Sequence, residues 1–152
     1  MNFELKVPPP LVMIALGAIM YWVTRLLPSL TWHVPGGRAS AAAVAALGIA
    51  IALAGVLAFR ANKTTVSPFS PDATTTIVRS GIYRISRNPM YLGMLLVLAG
   101  WALYLANLAA LVVVPFFIAY INAFQISPEE RILLARFGPA FAEYMRTTRL
   151  WI

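Results

Sequence analysis

Cysteine is absent from this 152-residue chain, and charged residues make up only 11% of it. The lack of cysteine excludes disulfides, thiolate catalysis and cysteine metal sites. Acidic residues are scarce, with five Asp and Glu against twelve Lys and Arg, and there is one histidine, His33. No cluster of Cys, His and acidic residues is present to hold a metal ion, so no metal site is predicted.

Hydrophobic residues are abundant and account for 61% of the chain. A soluble domain carries roughly 45–50% apolar and 25% charged residues, so this composition predicts an integral membrane protein. The formal charge of +7 is compatible with nucleic-acid binding. However, the basic residues flank apolar segments, which favours the positive-inside pattern of membrane proteins, and no nucleic-acid partner is expected.

Four apolar segments predict four transmembrane helices. They run from about Leu11 to Leu27, Ser40 to Phe59, Met90 to Leu105 and Leu108 to Ile126. The last two segments are separated only by Ala106-Asn107, which predicts a tight helical hairpin. The first segment is too long for a cleavable signal peptide and is expected to stay in the protein.

The predicted fold is therefore an all-α integral membrane protein with four transmembrane helices and a cytosolic C-terminal amphipathic helix. We expect a single domain spanning residues 1–152. Residues 1–59 hold helices one and two, and residues 60–152 hold a long loop, the helical hairpin and the C-terminal helix.

The distribution of basic residues orients this bundle. Four crossings leave only Arg25 and Arg38 near one side and place ten basic residues on the other: Lys6, Arg60, Lys63, Arg79, Arg84, Arg87, Arg131, Arg136, Arg146 and Arg149. The positive-inside rule makes the basic side cytoplasmic. Both termini are expected in the cytoplasm, at the inner membrane of a bacterium or the endoplasmic reticulum of a eukaryote.

The connection from Arg60 to Asn88 is long for a simple loop, and long loops often have a function. Gly81 is expected to adopt a positive φ, which glycine tolerates at no steric cost. Asn88 is predicted to be the N-cap of the third helix, and Pro89 suits its first turn. On spacing alone, this pair is interpreted first as an ordinary helix start.

The segment Ser127-Pro128-Glu129-Glu130 follows the fourth apolar run and has the pattern of a capping box. It predicts a new helix with Ser127 as N-cap and Glu130 at the N3 position, ending near Gly138-Pro139. Both acids would then favour the positive end of a helix dipole. Adjacent residues cannot point the same way on a helix, so the alternative is that one acid caps and the other faces a ligand.

An ordered set of motifs resembles the isoprenylcysteine carboxyl methyltransferase family, within a wider group that includes phospholipid methyltransferases. The motifs are Thr75-Thr76-Ile77-Val78 with Gly81 and Tyr83, then Arg87-Asn88-Pro89 with Tyr91 and Gly93, then Glu129-Glu130 before Phe137-Gly138. The resemblance covers roughly residues 64–151.

The resemblance implies a helical membrane enzyme that binds S-adenosylmethionine beneath a cytosolic cap, formed by the pre-helix loop and the C-terminal helix. It implies Arg87 and Glu130 as the catalytic residues. The cofactor-binding residues would be Thr75, Thr76, Ile77, Val78, Gly81, Tyr83, Asn88, Pro89, Met90, Tyr91 and Glu129.

Two positions depart from the family pattern. Asn88 stands where many relatives have histidine, and Gln125 stands where the carboxyl methyltransferases place a substrate-binding arginine. A carboxylate substrate would lack its charged partner here. The class of methyl acceptor therefore stays open between a carboxylate, an amine and a thiol.

The predicted function is S-adenosylmethionine-dependent methyl transfer to a lipid-like or small apolar acceptor at the membrane–cytosol interface. The expected partners are the lipid bilayer and that acceptor. Two alternatives stay open: an NADPH-dependent membrane enzyme of the sterol-reductase kind, and a membrane scaffold without catalytic activity.

Overall fold

The computed structural model describes residues 4–62 and 76–152, and these residues are helical, with no β-strand. Short 3₁₀ turns occur at Pro28–Leu30 and Gly81–Arg84, and a π-helical turn at Asn122–Ile126. The α-helices are α1 (Pro9–Leu26), α2 (Gly37–Ala61), α3 (Pro89–Leu105), α4 (Leu108–Ile121), α5 (Ser127–Phe137) and α6 (Pro139–Thr147).

The four predicted apolar segments correspond to α1 to α4, and the predicted all-α membrane fold is confirmed. Within residues 4–62 and 76–152, three helical stretches are long and apolar enough to cross a membrane: α1 with 18 residues, α2 with 25, and the stretch Leu108–Phe137 with 30. Helix α3 is shorter, with 17 residues, which is about 26 Å at 1.5 Å per residue.

The four long helices alternate in direction, so the bundle has two ends. We call the end where α2 finishes and α3 begins the polar end, and the end where α1 and α3 finish the opposite end. At the opposite end, where α1 and α3 finish, the Trp32 N–H donates to the Ala106 carbonyl at 2.9 Å and the Asn107 side chain to the Leu27 carbonyl at 2.8 Å. Ala106 has a φ of +50° and the Asn107 side chain caps α4 through the Ala109 N–H. The tight hairpin is confirmed.

At the polar end, α2 finishes and α3, α5 and α6 meet. The N-terminal segment reaches this end too, because the Leu5 N–H donates to the Phe124 carbonyl at 3.0 Å. Between the two ends, fully buried side chains of α1, α3 and α4 form the core, among them Met20, Leu98 and Phe117.

Glycines allow α2 and α3 to touch along their backbones. A Cβ on Gly93 would lie 2.5 Å from the Gly48 carbonyl oxygen, and a Cβ on Gly100 would lie 2.8 Å from the Ala41 carbonyl oxygen. No side chain fits at either point. Close approach through small residues is how helices associate within a membrane, where lipid and side chains are equally apolar. The α2–α3 pair therefore fixes the direction in which α3 enters the polar end.

The predicted helix start at Ser127 is wrong, because α4 continues through the π-turn into α5 as one helix. The residue at the N-cap position of α5 is Ile126, which is itself helical, and no side chain caps there. Pro128 has no N–H, so it cannot bond to the Phe124 carbonyl four residues earlier. The Leu5 N–H occupies that carbonyl instead, and the helix passes through the proline without ending.

Candidate functional site

The polar end is shaped first by the turn that precedes α3. Gly81 has a φ of +58°, as predicted, and opens the 3₁₀ turn Gly81–Arg84. This turn buries Tyr83, whose ring centroid lies 5.1 Å from that of Phe59 on α2. The Tyr144 hydroxyl of α6 donates to the Tyr83 carbonyl at 2.7 Å, so α2 and α6 both hold the turn in place.

Asn88 occupies the N-cap position of α3 and Pro89 lies in its first turn, so both predicted positions are confirmed. The Asn88 side chain does not cap the helix, however. Its Nδ2 donates to the Leu150 carbonyl at 3.1 Å, while its backbone N–H donates to the Ser86 hydroxyl at 3.1 Å. Asn88 therefore ties the C-terminal tail to the start of α3.

Arg87 and Glu130, the two predicted catalytic residues, lie together. Arg87 Nε and Nη2 donate to Glu130 Oε1 at 2.9 and 2.7 Å. Arg87 Nη1 donates to the carbonyls of Met145 and Thr148 at the end of α6. The two side chains are only 11% and 20% exposed. This arginine therefore fastens α5 and α6 to the residue before α3.

Glu129 points to a different partner from its neighbour. The Tyr91 hydroxyl, on the first turn of α3, donates to Glu129 Oε1 at 2.6 Å. Tyr91 is buried and Glu129 is half-buried. Because α5 continues α4, neither acid serves as a cap: Glu130 engages Arg87, and Glu129 faces α3.

The Tyr83 hydroxyl is buried and has no hydrogen-bond partner within residues 4–62 and 76–152. Burial raises the pKa of Tyr83, and the nearby Tyr144 and Glu129 raise it further. The hydroxyl is thus neutral, lies near the Glu129 carboxylate, and has its hydrogen-bonding capacity unused. A buried polar group without a partner points to an absent ligand or water.

The remaining predicted cofactor residues are spread over this end. Val78 is buried, Ile77 is half-buried and Thr76 is exposed, while Thr75 lies outside the described residues. Met90 is directed towards α2, since its Cγ lies 2.8 Å from where a Cβ on Gly55 would be. The structure therefore places Tyr91 against Glu129, buries Tyr83 in the turn before α3 and leaves Thr76 exposed.

Some polar contacts at this end were not foreseen from the sequence. The Trp151 Nε1 donates to Asn122 Oδ1 at 3.1 Å, where the π-turn begins. The buried Gln125 donates from Nε2 to the Val7 carbonyl at 2.8 Å, and its Oε1 has no partner in the described part of the chain. An Asn and a Gln inside an apolar run were the available signal, because polar residues in membrane helices usually have a function.

Comparison with known proteins agrees with this geometry. The model of the phospholipid methyltransferase family matches residues 37–140, a range that holds α2, α3, the π-turn and Glu129. An uncharacterized protein of Haemophilus influenzae is 43% identical over 63 residues, which are 41% of this chain and the whole of that relative. No solved structure matches the chain.

The family match covers more than half of the chain and contains the buried Tyr91–Glu129 contact, the Arg87–Glu130 ion pair and the glycine contact between α2 and α3. The resemblance that the motifs carried is thereby confirmed: this chain is an integral membrane protein that belongs to the phospholipid methyltransferase family.

Proposed function

We propose that this protein transfers a methyl group from S-adenosylmethionine to a lipid-like or small apolar acceptor at the membrane–cytosol interface. The observation that carries the proposal is the Tyr91–Glu129 hydrogen bond of 2.6 Å together with the buried Tyr83 hydroxyl, which has no partner among the described residues. Family membership supports methyl transfer as the reaction class. The site lies where α3 enters the polar end, which gives it access to both lipid and water.

The residues present fit such a cofactor. Glu129 Oε1 is held by Tyr91, which leaves Oε2 to accept from ribose hydroxyls or an amine. The Tyr83 hydroxyl is neutral and can donate or accept. The first-turn N–H groups of α3 have no partner within that helix, so they suit the carboxylate of an amino acid. Glu129 would thus accept hydrogen bonds from the ribose or the amine of the cofactor, and the N–H groups of α3 would donate to its carboxylate.

When bound, the sulfonium cofactor supplies an activated methyl group, whose bond to sulfur breaks as its bond to the acceptor forms. The protein then has to hold the two reactants in line in a dry site. The tail residues Leu150 and Trp151 lie across the start of α3 and the π-turn, through Asn88 and Asn122. In this position, Leu150 and Trp151 would help to exclude water from the start of α3.

The catalytic role of Arg87 and Glu130 stays part of the proposal. Arg87 and Glu130 bond to each other, and Arg87 also donates to the carbonyls of Met145 and Thr148. These contacts favour a positioning role, in which the pair holds α6 and the C-terminal tail against the start of α3. Glu130 also fixes the rotation of α5, and that rotation is what directs its neighbour Glu129 at Tyr91.

We also propose that the polar end faces the cytoplasm, with both termini there. Ten of the twelve basic residues belong to segments at this end in the sequence, and only Arg25 and Arg38 lie at the other. Reporter fusions at Met1 and Ile152 are expected to agree on a cytoplasmic location. A signal from the other side of the membrane at either fusion would contradict this orientation.

Ligand-dependent stability of the purified protein tests the cofactor. S-adenosylhomocysteine is expected to raise the melting temperature in detergent, since ligand at about 100 times Kd adds roughly 2.7 kcal/mol to the folded state. NADPH at the same concentration is expected to leave it unchanged. Stabilisation by NADPH alone would favour the reductase alternative, and stabilisation by neither would favour the scaffold.

Glu129→Gln assigns the site within the same assay. If Glu129 accepts hydrogen bonds from the cofactor, loss of the charge should weaken S-adenosylhomocysteine binding by about 1.5–3 kcal/mol, roughly tenfold to a hundredfold. Tyr91→Phe keeps the ring and removes the hydroxyl that positions Glu129. Glu143→Gln, an exposed acid on α6, is the matched control. Titration calorimetry in which both acid variants bind like the wild type would remove Glu129 from the site.

A further inference from the structure

A groove of about 330 Å³ opens between α2 and α3 near the opposite end of the bundle, away from the candidate site. Its floor is the close contact of the two backbones at Ala41 and Gly100. Ala42 and Ala45 keep it open on the α2 side, because their methyl groups leave space that larger side chains would fill.

The α3 side of the groove is a pair of stacked aromatic rings. Trp101 and Tyr104 have centroids 5.4 Å apart and planes inclined by 12°. The Trp101 Nε1 donates to the Gly17 carbonyl of α1 at 3.0 Å, which fixes the indole. The wall is therefore formed before any ligand arrives, so binding there involves little loss of side-chain freedom.

Arg38 stands at the mouth of the groove, with its Cζ 5.8 Å from the centroid of the Tyr104 ring. Arg38 is exposed and makes no ion pair or hydrogen bond within the described residues. The acids of the described chain are Glu4, Glu129, Glu130 and Glu143, all in segments at the polar end. Among the residues that the structure describes, none compensates the positive charge at the mouth.

We propose that this groove binds an anionic phospholipid from the leaflet at the opposite end, with one acyl chain between α2 and α3 and the phosphodiester on Arg38. The apolar cleft opens to lipid, and a void there would lose dispersion contacts that a hydrocarbon chain supplies. A guanidinium is suited to a phosphodiester, which it can bind through two parallel hydrogen bonds. Aromatic rings at this level are typical of the headgroup interface.

This lipid is distinct from the methyl acceptor. The groove and the Tyr91–Glu129 contact lie at opposite ends of α3, since Tyr91 is on its first turn and Tyr104 on its last. A lipid in the groove therefore contacts the face of α3 that packs on α2, and its headgroup lies in the other leaflet. The proposal does not depend on which cofactor the polar end binds.

Native mass spectrometry with dioleoyl phosphatidylglycerol tests the headgroup contact. Arg38→Gln is expected to reduce lipid retention roughly tenfold, as loss of one charge-assisted hydrogen-bonding group implies. Arg25→Gln is the matched control, because Arg25 also lies near the opposite end but already donates to the Tyr21 hydroxyl at 3.1 and 3.2 Å. Equal losses in the two variants would overturn the proposal in favour of a general charge effect.

Filling the cleft tests the acyl chain. Ala42→Trp is expected to reduce retention of the same lipid, whereas Ala43→Trp, next to it, exposed and outside the groove, should leave it unchanged. Equal retention by both variants would show that no chain lies there. Dioleoyl phosphatidylcholine should be retained less than phosphatidylglycerol, and equal retention would overturn the anionic preference. Glycerophosphoglycerol, the headgroup without chains, should fail to displace the lipid.

Discussion

The two faces of α3 differ in their residues: one consists of glycines and the other carries a buried polar side chain. Towards α2 the helix presents Gly93 and Gly100, and backbones approach so closely that no Cβ fits. Towards α5 it presents Tyr91, which donates to Glu129. One face is specified by the absence of side chains and the other by buried polar ones.

The difference shows how a small membrane protein can hold a polar site. Within a membrane the hydrophobic effect does not drive helices together, so contact through small residues has to supply the packing. That packing fixes α3 on one side. Hydrogen bonds on the other side can then be directed at a few positions. The glycine face of α3, called here the tight face, fixes the helix against α2. The face with Tyr91, called here the polar face, can then form a hydrogen bond of defined geometry with Glu129.

The largest effect is expected from the polar face, on replacing Arg87 by Met. Glu130 would be left half-buried without its partner, and breaking such a pair costs about 3 kcal/mol. Denaturation in mild detergent measures the free energy of unfolding. Arg146→Met is the control, because the Arg146–Glu143 pair is exposed and contributes little. Similar losses in both variants would mean that the polar face does not hold α5 and α6.

Gly93→Ala tests the tight face. The new Cβ would lie 2.5 Å from the Gly48 carbonyl oxygen and 2.6 Å from the Ala52 Cβ, so the helices must separate. Overpacking of this kind costs about 1–3 kcal/mol. Gly17→Ala on α1 is the control, since the nearest atom to its Cβ would be 3.8 Å away, and it should be neutral or stabilising. A neutral Gly93→Ala would show that α3 can shift without loss of stability.

The smallest effect is expected for Ser127→Ala, which sharpens the boundary of the polar face. An N-cap serine contributes about 1 kcal/mol, whereas a serine inside a continuous helix contributes less than about 0.5 kcal/mol. Asn107→Ala is the positive control, because Asn107 caps α4 and also donates to the Leu27 carbonyl. A loss at Ser127 equal to that at Asn107 would mean that a new helix begins there.

Much of the fold was predictable because apolar length and turn residues act locally. The four apolar segments, the two-residue hairpin at Ala106-Asn107, the positive φ of Gly81 and the start of α3 at Pro89 all match the structure. The break at Ser127 was predicted wrongly for a nonlocal reason. The Leu5 N–H, more than a hundred residues away in sequence, occupies the carbonyl that Pro128 leaves open.

The candidate site divides in the same way. The motifs predicted Asn88, Tyr91 and Glu129 as neighbours of one ligand, and the structure places Tyr91 against Glu129 and Asn88 at the start of the same helix, α3. They could not indicate that the Asn88 side chain would bind the Leu150 carbonyl, since that contact depends on where the C-terminal tail lies. Nor could the glycines of α2 and α3 be matched to each other, because composition does not give the register of two helices.

By itself, the sequence determined the membrane class, the positions of the apolar helices along the chain, the charge asymmetry of the two ends and the family, because each depends on the type and order of neighbouring residues. Tertiary structure alone decided that Glu129 faces Tyr91 while Glu130 faces Arg87. It also decided that α4 continues into α5 and that a groove opens beside Arg38. The reason is physical: these features depend on the rotation and approach of helices, which are fixed by contacts between residues far apart in the chain.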